Sequence, residues 1–195
     1  MAQRHYIQCR PSSAPGQSDE DDARRTLTAY EQNKLCNGRF KIYWIADLDS
    51  DAIVSEGRIF SVGQLGGEEF GLRFYVGDGL TVALVGTGTA EAVIEFDAYT
   101  EITFELHAEL GTLTVSGAAS GDGVYSGDAW NDTVGADAVL RIGGDVTADG
   151  KSANGWVSLP YALPWTAAGG FGGFGTSFQD TSLHEEGELT GFGII

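Results

Sequence analysis

Ile102-Thr103-Phe104-Glu105-Leu106-His107-Ala108-Glu109-Leu110 carries an apolar residue at every second position. A strand points successive side chains to opposite faces. Ile102, Phe104, Leu106, Ala108 and Leu110 are therefore expected on a core, and Thr103, Glu105, His107 and Glu109 in water. Gly111 follows, and Thr112-Leu113-Thr114-Val115 reads as the strand that pairs back. Upstream, Phe40-Lys41-Ile42-Tyr43-Trp44-Ile45 is dense in residues that favour a pleated surface. Arg58-Ile59-Phe60-Ser61-Val62 comes next, and then Phe70-Gly71-Leu72-Arg73-Phe74-Tyr75-Val76 puts Phe70, Leu72, Phe74 and Val76 on one face. Gly77-Asp78-Gly79 has hairpin-turn chemistry before Leu80-Thr81-Val82-Ala83-Leu84-Val85. Ala138-Val139-Leu140-Arg141-Ile142 and Trp156-Val157-Ser158-Leu159 complete the set. Short strands with glycine-rich turns argue for a sandwich and against βαβ units. The expected fold is an all-β, antiparallel β-sandwich over residues 39–160.

The flanks read differently. Residues 1–38 are polar and irregular and are expected to form an N-terminal arm. Within it Ser18 is a candidate N-cap and Asp19-Glu20-Asp21-Asp22 suit the positive end of a short helix over 18–35. Residues 161–195 contain the tract Gly169-Gly170-Phe171-Gly172-Gly173-Phe174-Gly175 and end in Gly191-Phe192-Gly193-Ile194-Ile195. Glycine gives such a segment flexibility, while apolar anchors in it suit docking. Phe171, Phe174, Phe178, Phe192, Ile194 and Ile195 are the expected docking residues of this C-terminal arm.

The chain of 195 residues has a formal net charge of −17 and only three lysines, Lys34, Lys41 and Lys151. Such a surface repels phosphates, which argues against a nucleic acid partner. No apolar run approaches the ~18 residues of a membrane span. Met1-Ala2-Gln3-Arg4-His5-Tyr6 leads to polar sequence rather than an apolar signal core, so no secretory signal is expected. Cys9 and Cys36 lack metal-type spacing; they read either as two thiols or as a disulfide closing the N-terminal segment.

The ordered series of strands resembles a concanavalin A-like, laminin-G-type jelly roll. Gly57-Arg58-Ile59-Phe60-Ser61-Val62-Gly63 is similar to that family's "G-x-I-F-S-x-G" type strand. Leu72 to Val76 and Leu80 to Leu84 resemble its next hairpin. Asp97-Ala98-Tyr99-Thr100-Glu101-Ile102-Thr103-Phe104 resembles its aspartate, aromatic and central strand. Leu140-Arg141-Ile142-Gly143-Gly144 with Asn154-Gly155-Trp156-Val157-Ser158 resembles its closing pair. The resemblance implies two curved antiparallel sheets packed face to face. Lectins, glucanases and adhesion modules share the fold, and similar domains occur in bacteriophage structural proteins, so fold alone does not fix function.

Candidate sites follow from the residues. A retaining glucanase needs two carboxyls ~5 Å apart, and Glu95, Asp97 and Glu101 are the nearest candidates. Tyr99 interrupts the E-x-D-x-E series, so no catalytic residues are assigned and no enzyme is expected. Asp47, Asp49 and Asp51 alternate in a form that suits calcium, the one cofactor considered, although the spacing is not that of an EF-hand loop. Asp122, Asp128, Asp132 and Asp137 supply a second acidic loop. Trp130, in a polar loop with Tyr125 nearby, either stacks on a sugar ring or folds back onto the sandwich. His5, His107 and His184 are scattered, and His107 reads as solvated.

Two arms around an acidic sandwich lead to the expectation of a virion structural protein. It is expected to be a phage head-decoration or tail-associated module, assembled in the host cytoplasm and docking on other virion proteins or copies of itself. A carbohydrate-binding, lectin-like adhesion protein is the alternative, with a surface glycan as partner, and a glycoside hydrolase is remote.

Overall fold

A computed structural model of the chain describes residues 6–9, 23–29, 32, 38–49, 56–64, 69–76, 80–85, 90–130, 138–143, 153–158, 161–162, 176–178 and 192–194. Its strands, in chain order, are β1 (Tyr6–Cys9), β2 (Ala23–Thr26), β3 (Arg39–Ala46), β4 (Gly57–Gly63) and β5 (Glu69–Val76). Then come β6 (Leu80–Val85), β7 (Glu91–Ile94), β8 (Glu101–His107), β9 (Thr112–Ser116) and β10 (Gly123–Ser126). The last are β11 (Val139–Ile142), β12 (Gly155–Ser158), β13 (Tyr161–Ala162), β14 (Thr176–Phe178) and β15 (Phe192–Ile194).

The larger sheet runs β1-β12-β3-β8-β9-β10, with β13 also pairing with β3. The smaller sheet runs β2-β11-β4-β5-β6-β7. Strand pairing in both is antiparallel, and the two layers enclose the core as the alternation of apolar residues requires. Phe40, Ile42, Trp44 and Ala46 of β3 are buried, while Lys41, Tyr43 and Ile45 between them are only half-buried. Ile102, Phe104 and Leu106 of β8 follow the same rule. From the smaller sheet come Phe60, Val62, Phe70, Leu72 and Phe74.

Aromatic rings carry much of the contact between layers. Phe40 meets Phe60 at 5.3 Å and Phe70 at 6.2 Å between ring centroids, both edge-on. Trp44 stacks on Phe74 at 5.3 Å and donates its indole N–H to the Asn154 carbonyl at 3.0 Å. Edge-on and offset rings gain about 0.5–1.5 kcal/mol per pair beyond the area they bury.

The outer face of the smaller sheet is less expected. Arg58, Ser61, Glu69 and Arg141 are all buried. Arg58 lies directly across from Arg73, a like-charge pairing. Glu69 offsets it, taking Arg58 through Nε at 2.7 Å and a terminal nitrogen at 3.1 Å.

The N-terminal boundary needs correction. Residues 1–38 are not wholly an arm outside the sandwich: β1 pairs with β12 at the edge of one sheet and β2 with β11 at the edge of the other. Ile7 and Cys9 point into the core, and the Cys9 sulfur lies 3.6 Å from the Ile7 carbonyl oxygen. Cys36 lies outside the described residues. Of the helix expected over 18–35, Ala23–Thr26 is instead a strand, and a helical turn follows it at Ala29 and Gln32, with the Gln32 N–H on the Thr28 carbonyl at 3.0 Å. Capping is worth only about 1 kcal/mol, and short helices without a packed stripe are marginal. The open edge of β11 offers a ladder of backbone hydrogen bonds, and beyond it Leu27 is buried, its N–H bonded to the Ala138 carbonyl at 2.8 Å.

Two smaller boundaries also move. β13 pairs with β3, so the sheet continues past residue 160. The central alternation stops at His107, because Ala108–Leu110 forms a 3-10 turn that leaves Leu110 exposed. In the C-terminal segment Phe178, Phe192 and Ile194 lie on the paired strands β14 and β15; Phe171, Phe174 and Ile195 lie outside the described residues.

Integration of β1 predicts a cost for truncating its core residue. Ile7→Ala is expected to lower unfolding stability by about 2 kcal/mol or more, read as a lower urea midpoint. A dispensable arm gives no change.

Candidate functional site

Alternation along the larger sheet forces one row of side chains outward. Pairing sets Trp156 of β12 opposite Ile45 of β3, and Ile45 opposite Glu101 of β8. Gly155 makes the first of these pairings possible. Its φ is +114°, and a Cβ there meets the Ile45 carbonyl oxygen at 2.1 Å, so only glycine lets β12 approach β3 this closely. Trp156 is half-buried on the outer face, next to Gln8 of β1. Tyr6, at the start of β1, donates its hydroxyl to the Glu101 carboxylate.

A second aromatic ring arrives from a turn. Asp97-Ala98-Tyr99-Thr100 joins the smaller sheet to the larger, closed by the Thr100 N–H on the Asp97 carbonyl at 3.2 Å. Tyr99 sits at φ +62°, a left-handed conformation normally left to glycine or asparagine. Its N–H bonds the Ala46 carbonyl at 2.8 Å. The residue is 65% exposed, and its ring lies 6.1 Å from the Trp156 ring at a tilt of 46°. The Asp47 carboxylate, as acceptor for the phenol and as a charge, holds the phenol pKa above its ordinary value, with burial and then the Asp49 charge adding to the rise.

The result is two adjoining rings beside the carboxylates of Asp47, Asp49 and Glu101. Ring faces stack on flat apolar surface, and ionised carboxylates accept hydrogen bonds from hydroxyls. Together they suit a ligand with C–H faces and a rim of hydroxyl groups.

The residues singled out from sequence fall elsewhere. Trp130 is 2% exposed and packs on Phe70 at 5.5 Å, so the expectation that it stacks on a sugar is corrected: it is a core residue. The cause is a close strap. Gly111, at φ +59°, has no side chain to collide with the Asp128 carbonyl, and its own carbonyl accepts the Gly127 N–H at 2.8 Å. The Trp130 N–H then reaches the Ala108 carbonyl at 2.9 Å, which turns the indole inward. Its buried Nε1 finds no hydrogen-bond partner among the described residues. Tyr125 is likewise half-buried against the core, donating its hydroxyl to the Gly121 carbonyl at 2.7 Å, while Val124 takes the outer face.

Of the calcium triplet, Asp47 and Asp49 lie in the turn after β3 and Asp51 lies outside the described residues. Among the described residues no group of three or more His, Cys, Asp or Glu is arranged to hold a metal ion. Asp122 instead accepts the N–H groups of Gly117 and Ala118 at 3.1 and 2.9 Å, a turn-closing role; Asp132 and Asp137 lie outside the described residues. Glu95 bridges to Ser120 beside the smaller sheet, Asp97 opens the turn, and Glu101 starts β8 in the other sheet. These acids share no strand face. His107 is on the outer face, its pKa lowered by burial and then by Arg39; His5 and His184 lie outside the described residues.

Sequence reasoning missed the pairing of Tyr99 with Trp156. The one local signal was a large aromatic in a turn position that favours glycine.

No family model and no curated protein matches the sequence. Solved structures do resemble the fold. The native heptameric SAP-like pentraxin from Limulus polyphemus superposes with a TM-score of 0.53 at 16% identity, over 81% of this chain and 76% of that one. The CBM40 of the Ruminococcus gnavus IT-sialidase gives 0.51 at 15% identity, over 80% and 91%. The same module bound to alpha2,3 sialyllactose gives 0.48 at 13% identity, over 80% and 90%. With the two antiparallel sheets described above, the first two likenesses show a jelly-roll sandwich, and at these identities the likeness is one of fold alone.

Two outcomes are expected. Asp47→Asn brings ionisation of the Tyr99 phenol back toward the ordinary tyrosine value of about 10, seen as an earlier rise in phenolate absorbance on alkaline titration. Trp130→Ala lowers stability by about 3–5 kcal/mol, measured by denaturant unfolding; a change under about 1 kcal/mol indicates a surface residue.

Proposed function

We propose that this chain is a non-catalytic, lectin-like module that binds carbohydrate on the outer face of its larger sheet, at Tyr99 and Trp156. The observation that carries the proposal is Tyr99 itself. A bulky residue held at φ +62° costs about 1–3 kcal/mol, and here the surrounding hydrogen bonds hold its ring out in solvent beside Trp156. A fold gains no core from such an arrangement, whereas a ring-stacking ligand does gain a platform. The neighbouring carboxylates supply acceptors for sugar hydroxyls. A jelly roll shared with a pentraxin and a CBM40 fits this reading as well.

The virion reading draws on two docking arms. With β1 and β2 built into the sheets, its support falls to the C-terminal segment, and we place it second. Calcium held by Asp47, Asp49 and Asp51 is a separate proposal, tested by whether EDTA abolishes sugar binding and added calcium restores it.

The test is a glycan array followed by calorimetry on the full chain. Tyr99→Gly removes the ring and suits the left-handed backbone, so its unfolding stability should hold or rise while sugar affinity falls about tenfold or more, a loss of about 1.4 kcal/mol. Trp156→Ala should weaken the same sugar. Unchanged affinity in both variants moves the site elsewhere, and binding to no glycan overturns the proposal.

A further inference from the structure

We infer that the ligand is a linear carbohydrate chain lying along β3, with Tyr99 and Trp156 holding one unit and Tyr6 and Tyr43 holding those that follow. The inference rests on the carbohydrate reading and adds the form of the ligand and two further binding residues.

The outer face of the larger sheet carries aromatic residues in two adjacent rows, and the register fixes their order. Trp156 stands opposite Ile45. One pleat repeat back along β3, about 7 Å away, Tyr43 shares the outer face and is half-buried like Trp156. Its backbone N–H donates to the Ser158 hydroxyl oxygen at 2.9 Å, which ties Tyr43 to β12 two residues beyond Trp156. Ser158 in turn pairs with Tyr6 of β1. Tyr6 therefore starts level with Tyr43, while its hydroxyl ends on Glu101, which is level with Trp156 across Ile45. To make that bond its side chain crosses β12 and β3 between the two rows. From β1 to β8 is three strand steps, about 14 Å in a flat sheet, so a tyrosine and a glutamate meet here only where the sheet curves toward this side. Curvature across strands makes a trough that runs along them.

Tyr99 extends the same line past the end of β3, since its N–H bonds the Ala46 carbonyl and its ring stands 6.1 Å from Trp156. From Tyr99 through Trp156 to the level of Tyr43 is roughly 13 Å along the strand. A single pyranose ring covers one aromatic face and stops. A linear chain lays successive C–H faces on successive aromatic ones. Lys41 and Glu105 follow on the same face, the lysine nitrogen 3.3 Å from the carboxylate, and offer a donor and an acceptor to the hydroxyls of a further unit.

The experiment is calorimetry on the full chain with linear oligosaccharides of one to six units, from the cello-, xylo- or chito- series, whichever the array shows bound. Affinity is expected to rise about tenfold or more from the monosaccharide to the trisaccharide, a gain of 1.4 kcal/mol, and then to level off. Saturation-transfer NMR on the trisaccharide should show protein contact at all three units. Tyr43→Thr removes the ring and keeps a strand-favouring residue. It should weaken the trisaccharide about fivefold and the monosaccharide by less than about twofold, because one stacked ring is lost. Tyr99→Gly, in contrast, should weaken every length. A monosaccharide as tight as the trisaccharide, saturation confined to one terminal unit, or an array positive only for branched glycans overturns the inference and leaves the carbohydrate reading standing. So does a Tyr43→Thr variant that binds the trisaccharide unchanged or loses both lengths equally. The length series and the NMR use the unaltered chain, so they decide the matter even where Tyr43→Thr does not fold. Binding to no glycan overturns both.

Discussion

Interlocking rings between the two sheets are the contact on which the rest of the structure depends. Phe40 and Trp44 from one layer meet Phe60, Phe70 and Phe74 from the other, and Phe96 closes on Trp44 at 5.3 Å. Once those side chains are fixed inward, pleat geometry leaves no freedom for their neighbours. Tyr43, Ile45 and Trp156 must stand on the outer face, because a slip of one residue would turn every ring into water. The face that carries the candidate site is thus the complement of the core.

Where the chain crosses between sheets, the same constraint creates strain. Phe96 must end in the core and Ile102 must begin in it, with a short turn between them. The turn puts Tyr99 in a left-handed backbone, anchored to the Ala46 carbonyl. Core packing thereby determines where the exposed ring sits. At the other end of the sandwich Gly111 lets residues 127–130 fold over the 3-10 turn, and the core takes Trp130. Two aromatics in polar segments have opposite fates, and backbone contacts distant in sequence decide which is which.

Legibility followed the range of the interactions. Alternation in 102–107 and in 70–74 exposed the sandwich, because period two belongs to the backbone and needs no partner. Edge strands were harder. Tyr6–Cys9 and Ala23–Thr26 are each four residues long, too short for periodicity to outweigh their polar surroundings. Capping chemistry at Ser18 points to a helix, yet an open sheet edge takes Ala23–Thr26, and helical backbone is found only beyond it, at Ala29 and Gln32.

By itself the sequence determined the all-β class, the inward and outward sets of the central strands, and a surface too acidic for phosphates. These depend on side-chain chemistry and on the two-residue repeat of an extended chain. Tertiary structure alone decided that Tyr99 meets Trp156, that the Asp47 charge bears on the phenol, and that Trp130 and Tyr125 turn to the core. Those outcomes need strands far apart in sequence to pair in one register: β12 reaches β3 through a glycine only because no Cβ stands between them. No local pattern encodes such a meeting, so the candidate site is a product of the fold.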